Sequence, residues 1–235
     1  DWMRADDLQK LKEPTRQWEF PYSPQEINAG YSPSANSITF PAGILQPPFF
    51  DPNADAAVNF GAIAAVIGHE FGHGFDDQGS RADGDGKLRE WWTKASRREF
   101  EQRTQGLVAQ FDGYEPLPGL HINGRQNLGE NIGDLGGLSV AYAAYRSFVQ
   151  EKQGGNAPVL DGYSGDQRFF LAWAQLWRNI TSEGETRRRT LADPHSPGEF
   201  RVNGVVRNVD AWYKAFDVKP TDKLYLPPEK RVKIW

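Results

Sequence analysis

Residues 62–73 read AIAAVIGHEFGH, and this stretch is the most informative part of the sequence. His69 and His73 stand four residues apart with Glu70 between them. On a helix, residues i and i+4 lie on one face, so both imidazoles can bind one zinc ion while Glu70 reaches the metal's open side as a general base. The alternative is a hydrogen-bonded histidine pair without metal. The chain has only 4 His, so this spacing favours the metal.

Composition limits both the kind of metal site and the kind of partner. The 235 residues can form one large domain or two small ones with a substantial core. With 0 Cys, a metal must rest on His and carboxylate ligands. The net charge of −4 argues against a nucleic-acid surface, so small solutes or peptides are the expected partners. No apolar run approaches the ~18 residues of a transmembrane span.

Hydrophobic patterning predicts a mainly α protein with a small N-terminal β element. Alternation over residues 27–31 and 37–40, around a turn at 32–36, predicts a hairpin with one free edge. Residues 41–50 are apolar but rich in proline, which predicts a fixed loop. Helices are predicted over residues 56–75, 90–111, 128–149, 166–181 and 209–216.

A catalytic zinc needs a third protein ligand, and Glu130 is the leading candidate. Asp134 lies one helical turn later on the same face. Two such acids repel each other unless a cation lies opposite, and we expect the zinc and its imidazoles to supply it. Asp134 is then suited to accept a hydrogen bond from the outer N–H of a zinc-bound histidine. The alternatives are a solvated acidic helix end, and His121 as the third ligand.

Two cationic side chains later in the chain are candidates for stabilising a transition state. Amide hydrolysis builds negative charge on the carbonyl oxygen, which His195 or Arg201 can stabilise. Each of them, taken alone, is also compatible with a purely structural role.

Five blocks of this sequence resemble, in order, those of the neprilysin family of zinc metallopeptidases, which includes endothelin-converting enzyme and bacterial oligopeptidases. The blocks are residues 28–31, 40–50, 66–77, 129–134 and 193–201. They extend over nearly the whole chain. The resemblance implies a thermolysin-like zinc peptidase domain in which a short sheet borders the metal helix.

The resemblance also implies roles for particular residues. One zinc ion per chain is bound by His69, His73 and Glu130, and Glu70 activates the water. Asp134 and Asp76 are similar to aspartates that contact the zinc ligands. His195 resembles a histidine that stabilises the transition state. Arg201 resembles an arginine that holds backbone groups near the scissile bond.

Substrate-binding residues follow from the same resemblance. Asn28 and Ala29 resemble edge-strand residues that bind the substrate main chain. The positions that resemble an apolar pocket for the side chain after the cut are Ile44, Phe49, Val66 and Trp177. Such a pocket prefers large hydrophobic residues.

The chain departs from the family pattern in three places. Gly30 replaces an aromatic residue, which we expect to loosen the edge strand. Val232 stands where animal members have a cysteine, which favours a bacterial relative. Nothing in the 235 residues resembles the family's N-terminal helical lobe. We therefore expect residues 1–235 to form a single catalytic domain whose lobe is a separate or removed segment.

These observations predict a zinc endopeptidase that cleaves small peptides. The family resemblance also implies an extracytoplasmic location, either periplasmic or secreted. The sequence itself leaves the cytoplasm open. One alternative is a catalytically silent module of the same fold that binds peptides along residues 28–31. Another is a zinc hydrolase of non-peptide substrates, which has no need of a strand-like peptide groove.

Overall fold

The structure, a computed structural model, describes residues 2–14, 16 and 19–235 and is mainly helical in these ranges. One small sheet precedes the metal-motif helix. The helices are α1 (Trp2–Lys10), α2 (Ala56–Asn59), α3 (Ala65–Gly72), α4 (Lys94–Asp112), α5 (Leu128–Lys152), α6 (Gly165–Leu176), α7 (Glu183–Ala192), α8 (Gly198–Val206) and α9 (Asp210–Phe216). A π-helical segment, Phe60–Ala64, joins α2 to α3.

The predicted hairpin is present but shorter than expected. Strand β1 (Gly30–Ser32) pairs antiparallel with β2 (Ser37–Thr39), and Gly30 lies opposite Thr39. Asn36 has a positive φ of 45° in the turn, a conformation that asparagine tolerates better than most residues. Within the described ranges this is a two-stranded sheet, so one edge of β1 has no strand partner.

Glycines allow α3 and α5 to approach closely. A Cβ atom added to Gly68 would lie 2.8 Å from Gly137 Cα, and one added to Gly72 would lie 3.2 Å from Gly133 Cα. Side chains at these positions would force the helices apart. The close packing sets His69 directly against α5, because a Cβ at Gly133 would lie 2.8 Å from His69 Nδ1.

The hydrophobic core lies around α5, which is buried on several sides. Its buried apolar residues include Leu128, Ile132, Leu138, Tyr145 and Val149, and they pack with Phe111 of α4 and with Phe169 and Trp173 of α6. Tyr145 stacks on Phe169 with ring centroids 5.7 Å apart. The helix that carries Glu130 is therefore anchored by the main core.

Two predicted helix ends lie farthest from those observed. The helix predicted from residue 90 begins at Lys94, because the Thr93 hydroxyl accepts a hydrogen bond from Ser96 N at 3.0 Å and caps it there. The helix predicted to reach residue 181 ends at Leu176, because Trp177 leaves helical geometry at φ −98° and ψ 2°.

Helices α7 and α8, like α1, were not predicted. Ser182 caps α7 by accepting a hydrogen bond from Glu185 N, and α8 begins after Pro197. Both are short, with 10 and 9 residues, and their apolar positions do not form a clear stripe.

We expect Gly137→Ala to destabilise the protein by about 1–3 kcal/mol, since overpacking outweighs the better helix propensity of alanine. The added Cβ would lie 2.4 Å from His69 N and 2.6 Å from Ala65 O. Gly136→Ala is the matched control, because its Cβ would meet Trp235 Cδ1 at 3.5 Å, an ordinary contact. Denaturant unfolding measures both variants, and equal stabilities would contradict the role of close packing.

Candidate metal centre and cleft

Three side chains from two helices converge on one point. His69 Nε2 lies 3.0 Å from His73 Nε2 and 3.3 Å from Glu130 Oε2. His73 Nε2 lies 3.7 Å from Glu130 Oε1. These potential ligand atoms all lie within 4.8 Å of one another. The predicted set of two imidazoles and one carboxylate is thus brought together by the packing of α3 on α5.

The outer nitrogen of each imidazole is held by an aspartate. Asp134 Oδ1 lies 2.8 Å from His69 Nδ1, and Asp76 Oδ2 lies 2.8 Å from His73 Nδ1. A carboxylate accepts from an N–H, so each contact favours the tautomer that leaves Nε2 as a lone pair. The two lone pairs then face each other at 3.0 Å and repel unless a proton or a metal ion lies between them.

The charges around the rings favour a cation at this point. Burial lowers the pKa of His69, but the hydrogen bond with Asp134 and the nearby carboxylate of Glu130 outweigh it and raise that pKa to about 9. Burial raises the pKa of Glu130, whereas the imidazoles of His195 and His69 hold it well below the ordinary range. Glu130 is therefore an ionised carboxylate, and the surroundings of His69 stabilise positive charge.

The residues fit a zinc ion. Zn–N bonds of about 2.0–2.1 Å in a tetrahedron place ligand atoms about 3.3 Å apart, close to the three separations observed here. Glu130 Oε2 lies 3.1 Å from His195 Nε2, yet it is buried without a hydrogen bond of good geometry. An orphaned carboxylate oxygen beside two imidazole lone pairs is typical of a metal site.

A buried ion pair joins α5 to α8. Arg201 donates from Nε to Asp134 Oδ2 at 2.7 Å and from Nη2 to Asp134 Oδ1 at 2.6 Å. The guanidinium Cζ lies 3.6 Å from the ring of Trp177, and Trp173 Nε1 donates to Arg201 O. The expectation that zinc and its imidazoles alone offset Asp134 was incomplete, because α8 was not predicted and brings Arg201 to it.

His195 reaches the same centre from the loop before α8. Its Nδ1 lies 2.8 Å from Asp193 Oδ1, and that oxygen also accepts from His195 N at 2.9 Å. No sequence motif assigned a role to Asp193. Its position two residues before a histidine is the available signal, since aspartate commonly accepts from the backbone two residues on.

The loop that carries His195 is fixed to the start of α5. Asn127 Nδ2 donates to Pro194 O at 2.6 Å, and Ser196 Oγ donates to Asn131 Oδ1 at 2.9 Å. Both asparagines are buried. The distance between His195 and Glu130 is therefore held by side chains of the helix that also carries Glu130.

A cleft of about 490 Å³ opens over this centre. Glu70 lies in its wall, and burial raises the pKa of Glu70. The predicted site residues in the lining are Asn28, Ala29, Ile44, Phe49, Val66, His69, Glu70, His73, Asp76, Glu130, Trp177, His195 and Arg201. Asp134 lies behind the cleft and is fully buried.

His121, the alternative third ligand, lies elsewhere. It is exposed on the loop before α5, and the metal-binding group found among the described residues consists of His69, His73 and Glu130. The fold therefore brings a carboxylate, and not His121, to the two imidazoles.

Residues 28–232 match the family model described as peptidase family M13. The chain belongs to peptidase family M13. It is 43% identical to Neprilysin-11 of Caenorhabditis elegans, covering 100% of this chain and 28% of that protein. It is 41% identical to human endothelin-converting enzyme 1, covering 98% of this chain and 29% of the relative. The predicted membership of the neprilysin family is confirmed.

Solved structures of M13 proteins have the same fold. The zinc metalloprotease Zmp1 of Mycobacterium tuberculosis, in complex with an inhibitor, matches with a TM-score of 0.95 and 53% identity, over 99% of this chain and 36% of that chain. PepO of Lactobacillus rhamnosis matches with a TM-score of 0.86 and 36% identity, over 96% and 34%. The predicted thermolysin-like zinc peptidase fold is confirmed, and the chain spans about a third of the length of its relatives.

We expect Asp76→Asn to weaken zinc binding by roughly 10 to 100-fold, because it removes the carboxylate that holds His73 Nδ1. The asparagine oxygen can still accept from Gln78 N and Gly79 N, as Asp76 Oδ1 does, so the loop should be retained. Asp77→Asn is the matched control, since its Oδ2 accepts from Gln78 and not from a zinc ligand. Chelator competition measures both affinities, and equal losses would argue against the His73 contact.

Proposed function

We propose that this chain is the catalytic part of a zinc-dependent endopeptidase that hydrolyses small peptides before large hydrophobic residues. One arrangement carries the proposal: the candidate ligands His69, His73 and Glu130 lie in one cleft with Glu70 and His195. A binding module needs no general base beside its metal ligands. Residues 1–235 act in this proposal as one catalytic unit.

Glu70 is the proposed general base. A zinc ion held by His69, His73 and Glu130 would polarise the scissile carbonyl and acidify a water molecule. Glu70 takes a proton from the attacking water and passes it to the leaving amine. Burial raises the pKa of Glu70, which makes its carboxylate a better proton acceptor.

His195 is the proposed donor to the developing oxyanion. Asp193 binds its Nδ1, so Nε2 faces the centre, 3.1 Å from Glu130 Oε2. Burial lowers the pKa of His195, but Glu130 and Asp193 outweigh it and raise that pKa. A protonated imidazole is a strong donor to negative charge on oxygen.

Arg201 is proposed to bind a substrate carbonyl beside the scissile bond. The guanidinium is fixed by Asp134 on one side and stacked on Trp177. Because both contacts restrict its orientation, Arg201 presents its remaining donors to the cleft with little loss of entropy on binding.

The substrate main chain is proposed to bind along Asn28 and Ala29, which line the cleft and lead into the free edge of β1. Such strand addition uses backbone hydrogen bonds. The apolar side chains that we propose as the pocket for the residue after the cut are Ile44, Phe49, Val66 and Trp177. Burial in this pocket favours large hydrophobic side chains by about 1–3 kcal/mol.

A peptide-library digest with the full-length protein tests the proposal. The wild-type protein should cut before large apolar residues, and Glu70→Gln should lower the rate by at least ~10²-fold while one zinc per chain stays bound. His121→Ala is the control that should keep both zinc and activity. Zinc binding without cleavage in the wild type would favour the silent peptide-binding module, and full activity in Glu70→Gln would remove Glu70 from its role.

The relatives are about three times longer than this chain, and we propose that the additional polypeptide packs on the outer side of α3. Ile67, Phe71 and Phe75 are 36%, 59% and 46% exposed and do not line the cleft. Phe75 also contacts Trp91 and Trp235, with ring centroids 6.4 Å and 6.1 Å away. Ile67 and Phe71 lie four residues apart on one face of α3, and exposed apolar side chains grouped in this way mark an interface.

Thiol labelling of the full-length protein tests this contact, because the described chain has no cysteine of its own. A cysteine introduced as Phe71→Cys should react at least ~10-fold more slowly than one introduced as Val159→Cys, since a packed segment excludes the reagent. Val159 is a suitable control because it is 68% exposed and distant in sequence. Equal labelling rates, located by peptide mapping, would contradict the proposed cover.

Among the described residues, no helix is both long and apolar enough to cross a bilayer. The extracytoplasmic location stays a prediction from the family resemblance. Fractionation of cells that produce the full-length protein tests it, and recovery with a cytosolic marker would contradict it.

A further inference from the structure

Tyr22 reaches the cleft from outside the residues that the family model covers. The match begins at residue 28, yet Tyr22 lines the cleft together with Ala29, Gly30 and Glu70. None of the roles assigned above involves Tyr22. It contacts Gly30, one of the positions where this chain departs from the family pattern.

Tyr22 and a side chain at position 30 cannot occupy the same space. A Cβ atom added to Gly30 would lie 1.9 Å from Tyr22 Oη and 2.9 Å from Tyr22 Cζ. Gly30 is a strand residue that stays in the ladder opposite Thr39, so its backbone does not require glycine. The expectation that Gly30 loosens the edge strand stays a prediction, but the space of its side chain is filled by a phenol from another segment.

The phenol is held in this position by a hydrogen bond. Tyr22 Oη donates to Ala29 O at 3.3 Å. Burial raises the pKa of Tyr22, and the charges of Glu70 and Glu26 add to it, so the hydroxyl stays protonated and remains a donor. Ala29 is also a proposed substrate-binding residue, which places the ring next to the path of a bound peptide.

We propose that Tyr22 is a specificity-determining residue, whose ring forms the wall of the cleft that a side chain at position 30 would otherwise form. This inference rests on the proposed peptidase function. A peptide added to the edge of β1 projects alternate side chains toward each face, and the residue opposite Gly30 on the Tyr22 side meets the ring. The wall limits the size of the substrate side chain at that one position.

Peptide binding tests the wall without relying on turnover. The probes are peptides that carry Ala or Trp at one position at a time, and the protein is the zinc-loaded, full-length Glu70→Gln variant. Adding Tyr22→Ala should raise the preference for Trp over Ala by roughly 10-fold at a single peptide position, as expected for an enlarged apolar pocket. Tyr22→Phe keeps the ring and should leave the preference within about 2-fold. Combining Tyr22→Ala with Gly30→Phe should restore the original limit on the size of the peptide side chain at that position.

Thermal unfolding tests the pair independently of any substrate. Gly30→Ala should lower the melting temperature when Tyr22 is present and should have little effect in the Tyr22→Ala background, which is the non-additivity expected for two groups in contact. Equal effects in both backgrounds would overturn the pairing. Unchanged peptide preferences in Tyr22→Ala would overturn the wall alone, whereas a protein that binds no peptide would contradict the proposed function as well.

Discussion

The buried carboxylate of Asp134 is the group on which the rest of the site depends. It is 0% exposed, it binds His69 Nδ1 at 2.8 Å, and it accepts two hydrogen bonds from Arg201. A buried charge is stable only when it is paired, and removing one partner costs about 3–5 kcal/mol. Asp134 therefore ties α3, α5 and α8 into one arrangement, in which a metal ligand and a candidate substrate-binding cation share an anchor.

This arrangement is possible only because the helices come very close. Gly68 and Gly137 allow backbone contact between α3 and α5, and Gly133 leaves space for the ring of His69. With larger residues there, Glu130 would be held farther from both imidazoles. The buried apolar side chains of α5 provide the rigid support that fixes these distances, as a site for a metal with short, directional bonds requires.

Much of the centre could be predicted from local patterns in the sequence. The i, i+4 spacing of His69 and His73 and the acidic pair on one face of α5 are properties of single helices. Contacts between distant segments could not be predicted this way. Arg201 and Tyr22 acquire their partners only when the chain folds. Arg201 is separated from Asp134 by 67 residues, and Tyr22 meets Gly30 at a position that has no side chain. Neither contact leaves a periodic pattern in the sequence.

Helices α7 and α8 were missed for the same reason. The stretches that form α7 and α8 have weak amphipathic patterns, so tertiary contacts rather than intrinsic propensity decide their helical state. Asp193 was missed because its role depends on the loop that Asn127 and Asn131 fix to α5. The sequence thus predicted the candidate ligands and the aspartates beside them, whereas Asp193 and the pairing of Arg201 with Asp134 required the fold.

Anomalous diffraction at the zinc edge from crystals of the zinc-loaded, full-length protein tests the central claim most directly. We expect one peak bonded to His69 Nε2, His73 Nε2 and a Glu130 carboxylate oxygen at about 2.0–2.2 Å. A peak bonded to other side chains, or a structure in which Glu130 points away from both imidazoles, would contradict the account.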